Sequence, residues 1–236
     1  FGLFQNKTNI QNEITTLKSA DLMEEVVRRL DLDMNYYIPG RFHDVVAYGS
    51  NLPVRVEMPG FAENGSALFR VEVDGAGKVS VSDVKSEERV QGAMNDTLRT
   101  AVGPMVVVAA EGYKPGEAVE LNVVKAPVSA TAGGYESRMV IAMSGDKSSV
   151  INLTVTDQST QRAQALLSTL IGVYNEYWIR DKNQIAVSTS NFINERLGVI
   201  ESELGNVDSD ISSYKSQHLI PDVSAASSMY MSQNQQ

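Results

Sequence analysis

Residues 191–214 read NFINERLGVIESELGNVDSDISSY, and apolar side chains recur in them at Ile193, Leu197, Ile200, Leu204, Val207, Ile211 and Tyr214. Steps of four and three residues make a heptad, the repeat that keeps one stripe of a helix turned toward a partner helix. With Ile193 at position d, Leu197, Leu204 and Ile211 fall at a, and Ile200, Val207 and Tyr214 at d. Leu at a with Ile at d disfavours a simple parallel pair and favours more strands. Side by side in parallel, Arg196 would face Glu201, Glu203 would face Asp208, and Asp210 would face Lys215. Two of these pairs attract and one repels, so charge leaves partner and orientation open. Gly198 and Gly205 repeat at position b, each costing ~1 kcal/mol against Ala in a helix interior. Close approach of a partner and a tolerated weak point both account for them.

The helical pattern extends back to about Thr160 and on to His218. At ~1.5 Å per residue, a helix of that length reaches roughly 90 Å, about three times the width of a small domain. Most of it cannot lie on this chain's own core. The seam is expected to meet another helix, either a returning segment of the same chain or a neighbouring subunit. Thr156-Asp157-Gln158-Ser159-Thr160 offers side chains that cap free N–H groups, which places the helix start there. Ala163, Leu166, Leu167, Leu170, Ile171, Tyr174 and Trp178 give a wide apolar stripe, predicting a first half docked on a body. Arg180 to Ser190 is more polar, so the helix is expected to leave the body there. Pro221 ends it, and the Ser-, Met- and Gln-rich residues 223–236 read as a flexible or truncated tail.

Ahead of the helix the period is two. Leu52, Val54, Val56 and Met58 alternate with Pro53, Arg55 and Glu57, and Phe69, Val71 and Val73 alternate with Arg70 and Glu72. Val79 and Val81 follow across Asp74-Gly75-Ala76-Gly77, a hairpin turn by composition. Met105 to Ala109, then Val119, Leu121 and Val123, then Met139, Ile141 and Met143, then Ile151, Leu153 and Val155 complete seven short strands. Before them, Ile10, Ile14 and Leu17 mark one helical face, and Leu22, Val26, Val27 and Leu30 another. Ser19 is placed to cap the second helix, with Asp21 in its first turn and Arg28 and Arg29 in its last.

The expected class is therefore α+β. A β-rich body, either a sandwich or a small barrel-like insert plus a mixed sheet with the N-terminal helices, is followed by a very long projecting helix. Four segments follow: N-terminal helices and a connection over 1–51, the β-rich region over 52–156, the long helix over 157–220 and the tail over 221–236.

Composition removes several function classes. The 236 residues carry 42% hydrophobic and 21% charged content, that of a folded chain. A net charge of -9, with no Lys and Arg cluster, argues against nucleic acid or anionic membrane as partner. There are no cysteines, which excludes zinc-thiolate sites, iron–sulfur clusters and disulfides. His43 and His218, the two histidines, are too few for a His-based metal site. Asp31 with Asp33, and Asp208 with Asp210, lack the glycine and terminal Glu of a calcium loop. Gly75-Ala76-Gly77-Lys78 and Gly145-Asp146-Lys147-Ser148 lie between strands and lack the spacing of a phosphate-binding loop. No catalytic, cofactor or metal residues are assigned. The chain begins at Phe1 and holds no apolar run near the ~20 residues that span a bilayer, so a soluble piece of a longer protein is expected.

Three stretches together resemble the periplasmic part of the bacterial polysaccharide co-polymerases, or chain-length determinants. The nearest form is that of the exopolysaccharide tyrosine autokinases of Gram-negative bacteria. The first stretch is Asn9-Ile10-Gln11-Asn12-Glu13-Ile14 running through Leu17-Lys18-Ser19 to Val26-Val27-Arg28-Arg29-Leu30-Asp31-Leu32. The second is Val150-Ile151-Asn152-Leu153-Thr154-Val155-Thr156-Asp157, then Ala163 and Leu170, ending in Tyr174-Asn175-Glu176-Tyr177. The third is Asn191-Phe192-Ile193-Asn194-Glu195-Arg196-Leu197, followed by Glu203-Leu204 and Tyr214-Lys215. The resemblance implies a periplasmic scaffold anchored by its parent in the inner membrane, assembled as a homo-oligomeric ring. It implies a role in setting polysaccharide chain length, assembly and export, with the polymerase and an outer-membrane export channel as partners. A tyrosine kinase domain, where present, would lie outside this stretch, and the fragment itself would be no enzyme and hold no cofactor. The rival reading is a periplasmic adaptor of an efflux or secretion system, which usually inserts a complete helical hairpin within its β modules. A carbohydrate-binding or hydrolytic β-sandwich would want clustered aromatics or paired carboxylates, and Trp178 with Tyr36-Tyr37 supplies neither.

Overall fold

The computed structural model describes residues 5–84, 88–145, 148–217 and 223–233, and divides into two units, residues up to Tyr177 and residues from Trp178 onward. In chain order the elements are α1 (Gln5–Leu17), α2 (Ala20–Arg29), β1 (Met34–Ile38), β2 (Val45–Ala47), a 3-10 turn (Gly49–Asn51), β3 (Val54–Glu57) and β4 (Ala67–Val73). There follow β5 (Lys78–Asp83), β6 (Arg89–Ala93), β7 (Thr97–Thr100), β8 (Gly103–Ala109) and β9 (Val119–Lys125). The chain continues with α3 (Val128–Arg138), β10 (Met139–Met143), β11 (Ile151–Val155), α4 (Thr160–Gln217) and α5 (Val223–Gln233). The protein is thus mixed α+β with antiparallel sheets and one helix of 58 residues.

Six strands form one sheet in the order β2-β1-β9-β4-β5-β6, and three more form another in the order β3-β8-β7. Their alternation has the expected cause. Phe69, Val71 and Val73 of β4, Leu121 and Val123 of β9, and Val79 and Val81 of β5 are buried on one face, with polar neighbours between most of them. Val54 and Val56 of β3, Leu98 of β7, and Met105 and Val107 of β8 enter the same apolar core from the second sheet. Tyr36 of β1 pins the two sheets together: the Val56 N–H donates to its hydroxyl at 3.0 Å, and the hydroxyl donates to the Val56 carbonyl at 3.4 Å. Burial pushes this phenol up to about 12.

The chain crosses between sheets at the β6–β7 turn, where Asn95 takes φ 68. Gly92 lets Leu98 pack close to the backbone of β6: a Cβ there would stand 2.4 Å from Leu98 Cδ2 and displace that side chain. The hairpin at Asp74–Lys78 forms as expected. Asp74 Oδ1 accepts from the N–H groups of Ala76 and Lys78, each at 2.9 Å, and Gly77 takes φ 80.

A second core joins the helices. Ile14 and Leu17 of α1, Leu22, Met23, Val26 and Val27 of α2, Val128, Ala132 and Tyr135 of α3, Ile141 of β10, and Leu166, Leu170 and Val173 of α4 bury together. Ser19 caps α2, accepting from the Leu22 N–H at 3.4 Å, with Asp21 in the first turn and Arg28 and Arg29 in the last. At the start of α4, Ser159 Oγ accepts from the Arg162 N–H at 3.2 Å and Asp157 Oδ1 accepts from the Ser159 N–H at 2.8 Å.

Five expectations are corrected. Residues 33–51 are more than a connection, since β1 and β2 lie there and β1 sits between β2 and β9. The β-rich stretch holds nine described strands, β3 to β11, rather than seven. The strands not foreseen are β6 and β7, which are short and expose every second residue or more. The same stretch contains a helix, α3, whose Gly133 and Gly134 disfavour helix by ~1 kcal/mol each; its buried Val128, Ala132 and Tyr135 override that cost by packing on α2. The small sheet beside the helices, β10 with β11, is antiparallel rather than mixed. Seven residues join these strands, too few for the crossover that parallel pairing needs. Finally, Val223–Gln233 is helical, against the flexible alternative of the expected flexible or truncated tail, in a run free of Gly and Pro and supplied with Ala, Met and Gln. Pro221, His218, Asp146 and Lys147, all singled out above, lie outside the described residues.

Candidate functional site

The candidate site is the face of α4 that carries the heptad. The first turns of this helix are anchored. Leu166, Leu170 and Val173 are buried, Leu167 and Tyr174 pack partly against them, and Ile171 and Trp178 of the predicted stripe are exposed instead. From Asn175 to Gln217 every residue of the helix is exposed.

Two polar anchors hold the start of α4. Asp157, with a wholly buried side chain, accepts from Arg162 at 2.9–3.0 Å, and Arg138 of α3 approaches it at 3.8 Å. Arg162, itself buried, also donates to Asn35 Oδ1 of β1 at 3.2 Å. Gln161 Oε1 accepts from both the backbone N–H and the hydroxyl of Ser50, each at 3.2 Å. Four turns on, Arg29 of α2 grips Glu176 with two parallel hydrogen bonds of 2.8 and 2.7 Å, and the Tyr174 hydroxyl donates to Glu13 of α1. Glu176 first and Glu25 second raise the Arg29 guanidinium further above its ordinary value. Desolvation, then Glu13, raises the Tyr174 phenol. Residues of the first two quoted stretches therefore meet in pairs, Glu13 with Tyr174 and Arg29 with Glu176.

The seven predicted seam residues, Ile193, Leu197, Ile200, Leu204, Val207, Ile211 and Tyr214, lie on one continuous helix and are 48–68% exposed. The structure brings them into one stripe and leaves that stripe open. A Cβ at Gly198 or Gly205 would meet nothing within 4 Å. Sequence reasoning missed a second row. Ile171, Trp178, Ile185, Phe192 and Val199 recur at intervals of seven and are all exposed. At 100° per residue, this row and the a/d seam are about 130° apart around the helix. The signal was present in the spacing but was masked by the polar residues between 180 and 190.

The remaining chemistry-bearing residues do not converge. His43 lies in the β1–β2 loop, and among the described residues no group of three His, Asp or Glu side chains is placed to hold a metal ion. No helix among them is long and apolar enough to cross a membrane. No family model matches the chain, and no curated protein matches it in sequence.

Proposed function

We propose that the chain is the periplasmic scaffold domain of an inner-membrane polysaccharide co-polymerase, which regulates the chain length, assembly and export of a capsular polysaccharide or exopolysaccharide. The observation that carries this reading is the 58-residue helix whose heptad stays half exposed after an anchored start. A helix held by Arg162, Arg29 and Tyr174 at one end and bearing an open seam at the other presents that seam to further helices. In this reading the partners are other copies in a ring, together with the polymerase and the outer-membrane channel. The β-rich region is a sandwich-type insert whose two antiparallel sheets share one core. The domain works by position and holds no catalytic group. The pairing of Glu13 with Tyr174 and Arg29 with Glu176 supports it, because these residues come from the stretches that carry the resemblance. The adaptor reading is disfavoured because α4 follows the last described strand, with no helical hairpin inserted among the strands.

The test is genetic. Leu204→Asp introduced into the chromosomal gene should change the size distribution of the secreted polymer while the body stays folded. Unchanged polymer size, with the seam shown to be disrupted, would refute the reading. So would flanking sequence that codes for a lipoprotein-type start and further β modules in place of two apolar spans.

A further inference from the structure

Between β1 and β2 the chain turns over Pro39-Gly40-Arg41-Phe42-His43-Asp44. Phe42 at this tip is 91% exposed, the highest value among the exposed large hydrophobic residues described. The turn is built to hold it out. A Cβ at Gly40 would lie 2.1 Å from the His43 carbonyl oxygen, so glycine alone fits, and Pro39 fixes its own φ. Arg41 lies with Cζ 5.8 Å from the Phe42 ring centroid, which makes the tip one cationic and aromatic unit.

At the other end of β1 a cleft of about 590 Å³ opens, with Asp31, Met34, Arg55, Met58 and Phe61 in its lining. Its other carboxylates are engaged: Asp33 with Lys125, Glu63 with Arg28, and Glu57 with Arg55 at 3.0 Å. Among the described residues the Asp31 carboxylate has no hydrogen-bond or ion-pair partner. Its placement also runs against local preference. The Leu32 N–H donates to the Val27 carbonyl at 3.0 Å and the Asp31 N–H to the Arg28 carbonyl at 3.4 Å, so α2 ends in a Schellman motif with Asp31 at φ 49. Glycine favours that position, and the negative end of the helix dipole opposes a carboxylate there. Desolvation, outweighing nearby Arg55, pushes the Asp31 carboxyl up from its ordinary value. Met34, Met58 and Phe61 beside it are only partly buried and adaptable in shape.

We propose that the Arg41–Phe42 tip of one copy enters this cleft on a second copy, with Phe42 against Met34, Met58 and Phe61 and the Arg41 guanidinium on Asp31. The proposal rests on the assembly reading above only in taking the partner to be a copy of this chain. Tip and cleft flank opposite ends of a five-residue strand, roughly 13 Å long, and are different surfaces. The contact is therefore head-to-tail, the kind that closes into a ring or runs on as a filament. An Asp at the Schellman position is costly to an isolated chain and is stabilised by the incoming cation.

The chain has no cysteine, so introduced thiols report without background. Chains carrying His43→Cys, an exposed tip position that leaves Arg41 and Phe42 in place, are mixed under mild oxidation with chains carrying Glu57→Cys, a substitution at an exposed strand position that leaves Asp31 intact. The expected result is a disulfide-linked dimer of unlike chains, about tenfold more abundant than with Lys114→Cys as the second chain, and lost when Phe42→Ser is added to the first. Linkage no greater than that control, linkage unaffected by Phe42→Ser, or a predominance of like-chain dimers overturns the proposal. Asp31→Gly gives an independent arm: it should melt higher than the parent chain yet associate more weakly in sedimentation, whereas unchanged association refutes the ion pair. Neither readout involves polysaccharide, so failure here and failure of the polymer-length test are separable.

Discussion

Leu166 and Leu204 lie on the same helix, and replacing each separates its anchored part from its open part. Leu166 is 0% exposed in the helical core, so Leu166→Ala removes contacts and leaves a cavity, a loss of about 2–5 kcal/mol. Set against the ~5–15 kcal/mol that holds a typical domain, this is a large fraction. Leu204 is 68% exposed, so only about a third of the ~1.5–3 kcal/mol for fully burying a leucine is at stake. Asp in place of Leu adds roughly 0.5 kcal/mol of lost helix propensity. The sum for Leu204→Asp in an isolated chain is ~1 kcal/mol, confined to α4. In an assembly whose seam is covered, the same change buries an unpaired carboxylate in every copy and is costly enough to disrupt it. Thermal melts followed by near-ultraviolet circular dichroism, with sedimentation velocity on the same samples, read both effects. Leu166→Ala should lower the melting temperature of the body by many degrees, whereas Leu204→Asp should leave it nearly unchanged and reduce association. A body that melts early in Leu204→Asp would refute the separation of anchored and open helix.

Three further outcomes follow from the cores. Tyr36 titrates at about 12 in the folded chain against an ordinary value of 10.0, so its contribution is full below pH 10 and is lost as pH rises toward 12. Tyr36→Phe should flatten that alkaline fall and cost about 1–3 kcal/mol at neutral pH by orphaning the Val56 N–H, as chemical denaturation at the two pH values will show. Arg162→Met strips the wholly buried Asp157 of its main partner and should cost ~3–5 kcal/mol; a loss below 1 kcal/mol in urea would mean that Arg138 takes over the pairing. Gly112→Ala would set a Cβ 2.8 and 2.9 Å from the carbonyl oxygens of Ser50 and Leu52, and the forced backbone shift should destabilise by about 1–3 kcal/mol, measurable as a lower melting temperature.

Much was legible without coordinates because it depends on local periodicity or local caps. The heptad from Ile193 to Tyr214, the Ser19 cap, the Asp74–Lys78 hairpin and the alternation in β3, β4, β5 and β9 each concern residues within a turn or two of one another. A short window therefore contains the cause. The α+β class follows from the switch between periods of two and 3.6, and the candidate site was likewise visible as a run of apolar steps.

What the tertiary structure alone decided is everything whose stabilising partner is distant in sequence. Val128–Arg138 is a poor helix by propensity and forms because Val128, Ala132 and Tyr135 find α2. The β1 strand, with only Tyr36 fully buried, is ordered by β2 and β9 on its two sides and by the Val56 backbone beneath it. In the sequence Asp157 reads only as a cap and Arg162 carries no signal, yet both side chains are buried, where Arg162 donates to Asp157 and Asn35, and Arg138 approaches the Asp157 carboxylate. Asp31 and Phe42, eleven residues apart, acquire meaning only once β1 separates a cleft from a tip. Periodicity determines which face of an element is apolar; only the packed chain decides which faces meet, because the burial energy that selects them is paid between segments that no sequence window holds together.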